Sequence, residues 1–124
     1  MKNNSIKRKE IREEKLRRNA AIADYIDQVV CDYFKCSLET LKIRKRTHLV
    51  SKPRQFATYF LHKYTDLGPT LIGERNGFTH AAAIHLIDQT EFDINHNCER
   101  IKIYNELNPK IECFVKQGEL EEIV

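Results

Sequence analysis

Residues 70–87 read TLIGERNGFTHAAAIHLI and are the most informative part of the sequence about its fold. Residues 70–75 have a short helical pattern, residues 76–78 contain a glycine turn, and a second helical pattern begins at Thr79. Helix, short turn and second helix are typical of a helix-turn-helix, and Thr79 is placed to cap the second helix. Because many all-α domains contain such a corner without binding anything, the pattern alone leaves the function open.

The second helix of this motif is predicted to have a small and smooth exposed face. We expect Ala83, Ile84 and Ile87 to form its buried side. The exposed side then consists of His80, Ala81, Ala82 and His85. Small residues let a helix approach a base-pair edge closely, and a neutral histidine can donate or accept a hydrogen bond there. The alternative is that His80 and His85 are ordinary surface histidines.

Apolar spacing predicts further helices on the N-terminal side of this motif. Between Ile22 and Phe34 the apolar residues repeat at intervals of three and four, which lines one face of a helix. Ser37 is placed to cap a short helix. A longer helix is predicted to follow, with Ser51 as its N-cap and Pro53 in its first turn.

The C-terminal part is predicted to be helical with interruptions. Residues 89–97 form a polar connection, a helix follows from Cys98 to Leu107, and Pro109 stops it. A last amphipathic, acidic segment has a break at Gly118. The whole pattern predicts an all-α chain in three parts: a basic N-terminal helical extension over 1–21, a helix-turn-helix domain over 22–107 and an acidic C-terminal extension over 108–124.

The net charge of +3 conceals a strong segregation of charge along the chain. Residues 42–54 contain six Lys or Arg and no acid, and residues 1–20 contain eight Lys or Arg against three Glu. Residues 88–124 contain four basic and nine acidic side chains. Basic blocks of this kind suit a polyanionic partner such as nucleic acid. In residues 1–20 the glutamates can instead pair with the cations at helical spacing, as on an ordinary solvated helix face.

The sequence indicates neither a metal centre nor a catalytic site. Its four cysteines contain no CxxC pair, so buried free thiols in a reducing cytosol are expected rather than a zinc or disulfide framework. A small metal-dependent hydrolase would draw its ligands from residues that lack ligand spacing, namely His80, His85, His96 and Cys98. No apolar run approaches the roughly 20 residues that span a membrane. We therefore expect a cytoplasmic protein that is not an enzyme, with no cofactor, no metal and no membrane contact.

Short motifs in a fixed order add a family resemblance. They are Arg44-Lys45-Arg46, Val50 through Ala57, Thr65, Ile72-Gly73, Gly77, His80-Ala81-Ala82 and His85. In this order they resemble the C-terminal DNA-binding domain of the bacterial replication initiator DnaA, over roughly residues 24–107. The resemblance implies an all-α, Trp-repressor-like domain whose helix-turn-helix contacts the major groove and whose basic loop reaches the adjacent minor groove.

The resemblance also implies roles for individual residues. Arg46 matches the family's minor-groove arginine. Arg54 and Gln55 match the pair that binds backbone phosphate at the start of the long helix, and His80 and His85 match the two recognition-helix histidines. The predicted DNA contacts are therefore Arg44, Lys45, Arg46, His48, Ser51, Lys52, Arg54, Gln55, Thr79, His80, Ala81, Ala82 and His85.

This chain departs from the family pattern at the head of the recognition helix. Where the family usually has Arg-Asp-His-Thr-Thr, residues 78–82 are Phe-Thr-His-Ala-Ala, and the preceding turn is one residue shorter. The aspartate that would accept from a cytosine amino group is absent, while Thr79 and two alanine methyl groups offer thymine contacts. The preferred DNA sequence is therefore expected to differ from the initiator's usual box.

Two functions follow as hypotheses. The sequence contains no Gly-x-x-x-x-Gly-Lys-Ser/Thr loop, so it predicts a stand-alone, nucleoid-associated protein that binds specific double-stranded DNA in replication or transcription control, without the initiator's ATPase. The alternative is a helical protein-interaction adaptor that keeps the fold but no longer binds DNA, which Ala81, Ala82 and the acidic C-terminal segment favour. That segment is also where a protein partner or self-association is expected.

Overall fold

The computed structural model describes residues 2–42 and 48–123, with side chains over 6–39, 41–42 and 52–118. The described backbone forms six helices and no strand: α1 (Lys2–Phe34), α2 (Leu38–Lys42), α3 (His48–Tyr64), α4 (Pro69–Asn76), α5 (His80–His96) and α6 (Cys98–Ile123). The all-α prediction is confirmed. None of these six helices is long and apolar enough to cross a membrane.

The core is assembled around α3, which packs against α1 and α5. Phe56, Phe60 and Leu61 of α3 are fully buried. Burying each such side chain contributes about 1.5–3 kcal/mol before the loss of chain entropy is subtracted. The other helices add the rest of the core: Ile22, Ala23, Ile26, Val29, Val30, Cys31, Leu41, Ile72, Ile87, Ile94, Ile103, Leu107 and Ile111.

α1 is a single helix of 33 residues that belongs to the core only over its C-terminal part. Residues 6–17 are exposed, and burial begins at Ile22. The helix ends where Lys35 takes the left-handed conformation (φ 54°) and the Cys36 N–H donates to the Cys31 carbonyl at 3.0 Å. The predicted boundary between residues 21 and 22 therefore falls inside a continuous helix.

α3 begins earlier than predicted. Ser51 is not its N-cap, because the helix already starts at His48. Pro53 therefore lies inside the helix, where it has no N–H to donate to the carbonyl four residues earlier. The loss of one backbone hydrogen bond is offset because the Pro53 ring and the following Phe56 are both buried.

α5 extends through the predicted polar connection over residues 89–97, and that prediction is wrong. The helix continues to His96 because Thr90 and Ile94 turn inward and are buried. The Thr90 hydroxyl donates to the Leu86 carbonyl at 2.6 Å, so its burial leaves that donor satisfied. Residues 89–96 are therefore mostly polar although they are helical, because only Thr90 and Ile94 form the buried face of this part of α5.

α6 also runs through positions that were predicted to break it. Asn97 separates it from α5, and the Asn97 side-chain oxygen accepts from two backbone N–H groups of the first turn of α6, at 3.0 and 3.2 Å. Beyond that cap the helix continues past Pro109 and Gly118, so both predicted breaks are wrong. Leu107 and Ile111 are fully buried on either side of the proline, and this packing outweighs the missing hydrogen bond. The predicted boundary after Leu107 lies inside α6.

The four cysteines are free thiols that differ in their exposure. Cys31 is buried and Cys36 is half-buried, as expected, whereas Cys98 and Cys113 on α6 are exposed, which corrects the expectation of burial for these two. Burial raises the pKa of the Cys31 thiol to about 12, and the neighbouring Cys36 adds to the shift. Cys31 therefore stays protonated at neutral pH.

Candidate nucleic-acid interface

α4, the intervening turn and α5 form the predicted helix-turn-helix. Gly77 ends α4 in the left-handed conformation (φ 77°, ψ 28°), which glycine adopts at no steric cost. The N–H groups of Gly77 and Phe78 both donate to the Gly73 carbonyl, the second at 2.7 Å. Thr79 then caps α5, because its Oγ1 accepts from the Ala82 N–H at 3.1 Å. The predicted turn and the predicted N-cap are confirmed.

Gly73 allows α4 to approach this turn closely. A Cβ atom at position 73 would lie 2.7 Å from the Phe78 carbonyl oxygen and 3.2 Å from the Thr79 carbonyl oxygen. Both neighbours are backbone atoms, which cannot rotate away as a flexible side chain can. A larger residue at this position would therefore displace the turn and the first residues of α5 with it.

Arg54 of α3 is buried against the same turn and is only 6% exposed. Its Nη2 donates to the Asn76 carbonyl at 3.1 Å, and its guanidinium carbon lies 4.0 Å from the centroid of the Phe78 ring. Asn76 in turn donates from Nδ2 to the Thr58 hydroxyl at 3.2 Å. Burial lowers the pKa of Arg54, which nevertheless stays charged at neutral pH. The start of α3 is thereby fixed beside the turn that leads into α5.

A second cation, the half-buried Arg75, fixes α4 on α1. Arg75 donates from Nη2 to Asp24 at 2.8 Å and to Asp27 at 3.0 Å. Asp27 is only 2% exposed, and burial raises the pKa of its carboxyl although Arg75 opposes the shift. Among the residues with described side chains, the Asp27 Oδ1 and the Arg75 Nε have no hydrogen-bond partner. The helix-turn-helix is therefore held to the body from two sides.

The N-terminal half of α5 lies at the surface, as predicted. His80, Ala81 and His85 are exposed, and Ala82 is half-buried. His80 Nδ1 lies 2.9 Å from the Thr70 hydroxyl, so the first turns of α4 and α5 meet at one edge of the molecule. Backbone N–H groups at helix starts favour anions such as phosphate. This edge therefore combines the N-termini of α4 and α5 with small alanine side chains and with histidines that can form hydrogen bonds.

Ile84 also belongs to this exposed face, so its predicted burial is wrong. It is 39% exposed, whereas Ala83 and Ile87 are buried. The buried face of α5 follows the spacing of Ala83, Ile87, Thr90 and Ile94. This spacing of four, three and four was present in the sequence, but a threonine in the third position obscured it. An exposed aliphatic side chain on such a face can contact a thymine methyl group.

The predicted minor-groove loop lies outside the described residues. It comprises Arg44, Lys45 and Arg46. His48 and Ser51 lie in the described backbone of α3, but their side chains lie outside the description. Within the described part of α3, Arg54 contacts the turn before α5.

Lys52 and Gln55 of α3 contact the start of α6. The ammonium of Lys52 hydrogen-bonds to Glu99, and this contact lowers the pKa of the Glu99 carboxyl. Gln55 Oε1 accepts from Arg100 Nη1 at 2.8 Å. Ion pairs exposed to this degree are weak, so the Lys52 ammonium can exchange Glu99 for another anion. Lys52 and Gln55, both predicted DNA contacts, thus have partners within the chain.

The histidines and cysteines whose side chains are described do not converge. Over the part of the chain that the structure describes, no three His, Cys, Asp or Glu side chains are grouped to hold a metal ion. His80 contacts Thr70, whereas His96 stacks on the Phe92 ring with centroids 4.1 Å apart and bonds the Phe92 carbonyl at 2.8 Å. The described residues therefore offer no support for the metal-dependent hydrolase.

Comparison with known proteins identifies the family of this fold. The bacterial dnaA protein helix-turn-helix family matches residues 23–89, which is more than half of the chain. The chain belongs to this family. The resemblance drawn from the sequence is confirmed, and the matched region reaches from α1 through the first half of α5.

Within the DnaA helix-turn-helix family, the chain is similar to curated proteins named chromosomal replication initiator protein DnaA. It is 33% identical over 87 residues to those of Caldanaerobacter subterraneus subsp. tengcongensis and Thermoanaerobacter pseudethanolicus, and 34% identical over 80 residues to that of Desulfatibacillum aliphaticivorans. The alignments cover 70% of this chain for the first two relatives and 64% for the third. They cover 20%, 20% and 18% of the relatives, so the chain spans about a fifth of their length.

Proposed function

We propose that this member of the DnaA helix-turn-helix family binds specific sequences in double-stranded DNA. In this proposal α5 enters the major groove, and the loop of Arg44, Lys45 and Arg46 enters the adjacent minor groove. The protein would act in the control of replication or transcription, in the cytoplasm and without ATP hydrolysis. The name of its relatives as replication initiators favours the first of these two processes.

The observation that carries the proposal is the exposed start of α5, which is fixed from two directions. The Thr79 cap and the contact between His80 and Thr70 set the direction of its first turn. Arg54 holds the preceding turn and places the end of the basic segment 42–54 beside it. Binding in the major groove requires a helix start whose direction is already fixed and positive charge that contacts the phosphates.

The side chains on this face support distinct roles in the groove. His80 and His85 can donate or accept at base edges, while Ala81 and Ile84 can contact thymine methyl groups. The backbone N–H groups at the start of α4, near Thr70, would contact phosphate. Together these contacts favour sites that contain thymine in the major groove.

The distribution of acidic residues supports the same orientation. Nine of the eighteen Asp and Glu residues lie in residues 88–124, the second half of α5 and all of α6. Phosphate is repelled by this part of the molecule and attracted by the basic segment 42–54. Electrostatic steering would therefore bring DNA to the edge where α4 and α5 begin.

The proposal is tested by selecting bound sequences from a random duplex pool with the full chain, and then measuring binding isotherms of the enriched duplex at several salt concentrations. We expect one enriched motif, an affinity that falls steeply with salt, and a loss of about tenfold in affinity for Arg46→Ala. Lys110→Ala is the control, because it removes one charge at an exposed position of α6. This variant should bind like the unmodified chain. Absence of an enriched motif, together with an affinity that ignores both salt and Arg46→Ala, would refute the proposal.

A further inference from the structure

Three cations of the exposed half of α1 share one side of the helix, and the acids of that half lie on the opposite side. Arg8, Arg12 and Lys15 recur at intervals of four and three, so at 3.6 residues per turn they lie within an arc of about 60°. Over the described residues the structure records no ion pair for these three cations. The acids of the same segment lie on the opposite side: Glu10, Glu13 and Glu14.

This basic arc continues the face of α1 that packs on the body. Ile22, Ile26 and Val30 are buried and lie within about 40° of the direction of Arg8 around the helix axis. The basic arc therefore points to the side on which the body lies, but beyond the edge where the body ends. A molecule that docks against that edge therefore faces Arg8, Arg12 and Lys15.

The edge in question is the one that carries the helix-turn-helix. The Asn19 side-chain oxygen accepts from the Asp66 N–H at 3.4 Å, which places α1 against the loop that leads into α4. Four residues further along the chain, Thr70 contacts His80 of α5 at 2.9 Å. Four residues span at most about 14 Å. The base of the projecting helix thus lies close to the first turns of α4 and α5.

We propose that Arg8, Arg12 and Lys15 bind the phosphate backbone of the DNA that flanks the site held by α5. This inference rests on the proposed function and adds a second, sequence-independent contact to it. The exposed segment over residues 6–17 is about 18 Å long, which corresponds to about five base pairs of duplex. Charge complementarity and the direction of the arc assign it to DNA, since the acidic side of the helix faces away.

The test compares two triple variants of the full chain that lose the same charge from the same segment. R8Q/R12Q/K15Q removes the basic arc, and K7Q/K9Q/R17Q removes three cations that lie about 100° or more from Arg8 around the axis. Glutamine is a good helix former, so both variants keep α1 helical, which circular dichroism checks. Affinity is measured against salt for two duplexes that carry the selected site, one ending at its edges and one extending about two helical turns beyond them.

The unmodified chain and K7Q/K9Q/R17Q should bind the long duplex more tightly than the short one. R8Q/R12Q/K15Q should lose this preference, and its slope of log affinity against log salt on the long duplex should be shallower by about 2.7. Three phosphate contacts correspond to about a 40-fold difference in affinity between 50 and 200 mM salt.

Three results would overturn the inference. Equal slopes for both triple variants would show that the arc has no special contact with DNA. A change from dimer to monomer in R8Q/R12Q/K15Q by sedimentation would assign the arc to a second copy of the chain, and binding of the arc only to anionic lipid vesicles would assign it to a membrane surface. If the unmodified chain bound neither duplex, the proposed function itself would fail, and that failure is distinct from the other three.

Discussion

The buried guanidinium of Arg54 donates a hydrogen bond to the backbone carbonyl of Asn76 at 3.1 Å, so a cation of α3 holds the last residue of α4. The same guanidinium lies over the Phe78 ring in the turn. The family resemblance places Arg54 among the phosphate ligands, and that role stays a prediction. The structure gives Arg54 an internal role as well, which is to fix the turn that positions α5.

Replacement of Arg54 by methionine separates these two roles. We expect Arg54→Met to lower the free energy of unfolding by about 2 kcal/mol. Methionine cannot donate a hydrogen bond, so the Asn76 carbonyl loses the charged donor that Arg54 provides. Urea denaturation measures this change. Arg12→Met, the same substitution at an exposed site of α1, should change stability by less than about 0.5 kcal/mol. A stable Arg54→Met variant that loses only DNA affinity would show that Arg54 acts on phosphate alone.

Gly73 provides a test of the geometry of the turn. Gly73→Ala places a Cβ atom 2.7 Å from the Phe78 carbonyl oxygen, and we expect a loss of about 1–3 kcal/mol in stability, with weaker DNA binding as α5 is displaced. Gly68→Ala is the matched control, because a Cβ atom there meets nothing within 4 Å and its φ of −77° suits alanine. Thermal unfolding compares the two variants. Equal melting temperatures would contradict the close approach of α4 to the turn.

Asp27 gives the stability of the chain a distinctive pH dependence. Burial raises the pKa of this carboxyl above its ordinary value of 3.8, so the folded state holds the proton more tightly than the unfolded state. Its contribution to stability is therefore complete below pH 3.8 and is lost as the pH rises through the folded-state pKa. Asp27→Asn cannot ionise but still offers an oxygen to Arg75, so its stability relative to the unmodified chain should increase as the pH rises to neutrality. Urea unfolding of both proteins across this range measures the difference, and a constant difference would be inconsistent with the raised pKa.

Ala81 tests the assignment of α5 as the recognition helix. Ala81→Thr adds a hydroxyl to the exposed face, and we expect the sequences selected from a random duplex pool to change at one or two base pairs. Ala20→Thr makes the same substitution at an exposed position of α1 and should select the unchanged motif. Identical motifs from both variants and the unmodified chain would place the base contacts elsewhere on the molecule.

The local signals of the helix-turn-helix could be predicted from the sequence because caps and turns depend on neighbouring residues. Gly77 supplies the left-handed conformation and Thr79 supplies the capping oxygen, and both act within three or four residues. The buried half of α1 was likewise visible as a regular apolar spacing. These features required no knowledge of the tertiary fold.

The remaining features depend on contacts between distant residues. Arg54 is buried because Asn76 and Phe78, more than twenty positions along the chain, supply its carbonyl and ring. α5 continues through a polar stretch because Thr90 bonds its own helix backbone and turns inward. In α6, Pro109 is tolerated because packed residues lie on both sides of it. The local sequence favours the opposite at each of these positions: an arginine that contacts DNA at 54, a polar connection around Thr90 and the end of a helix at Pro109.

In the proposed function the N-terminal half of α5 forms the DNA interface. The most direct test of this proposal is a titration of the ¹⁵N-labelled full chain with the selected duplex, followed by the amide chemical shifts in the NMR spectrum. We expect the largest changes over residues 79–85 and at the start of α4, with small changes in the acidic half of α6. Changes concentrated in α6, or no changes at residues 79–85 while the duplex is bound, would contradict the account.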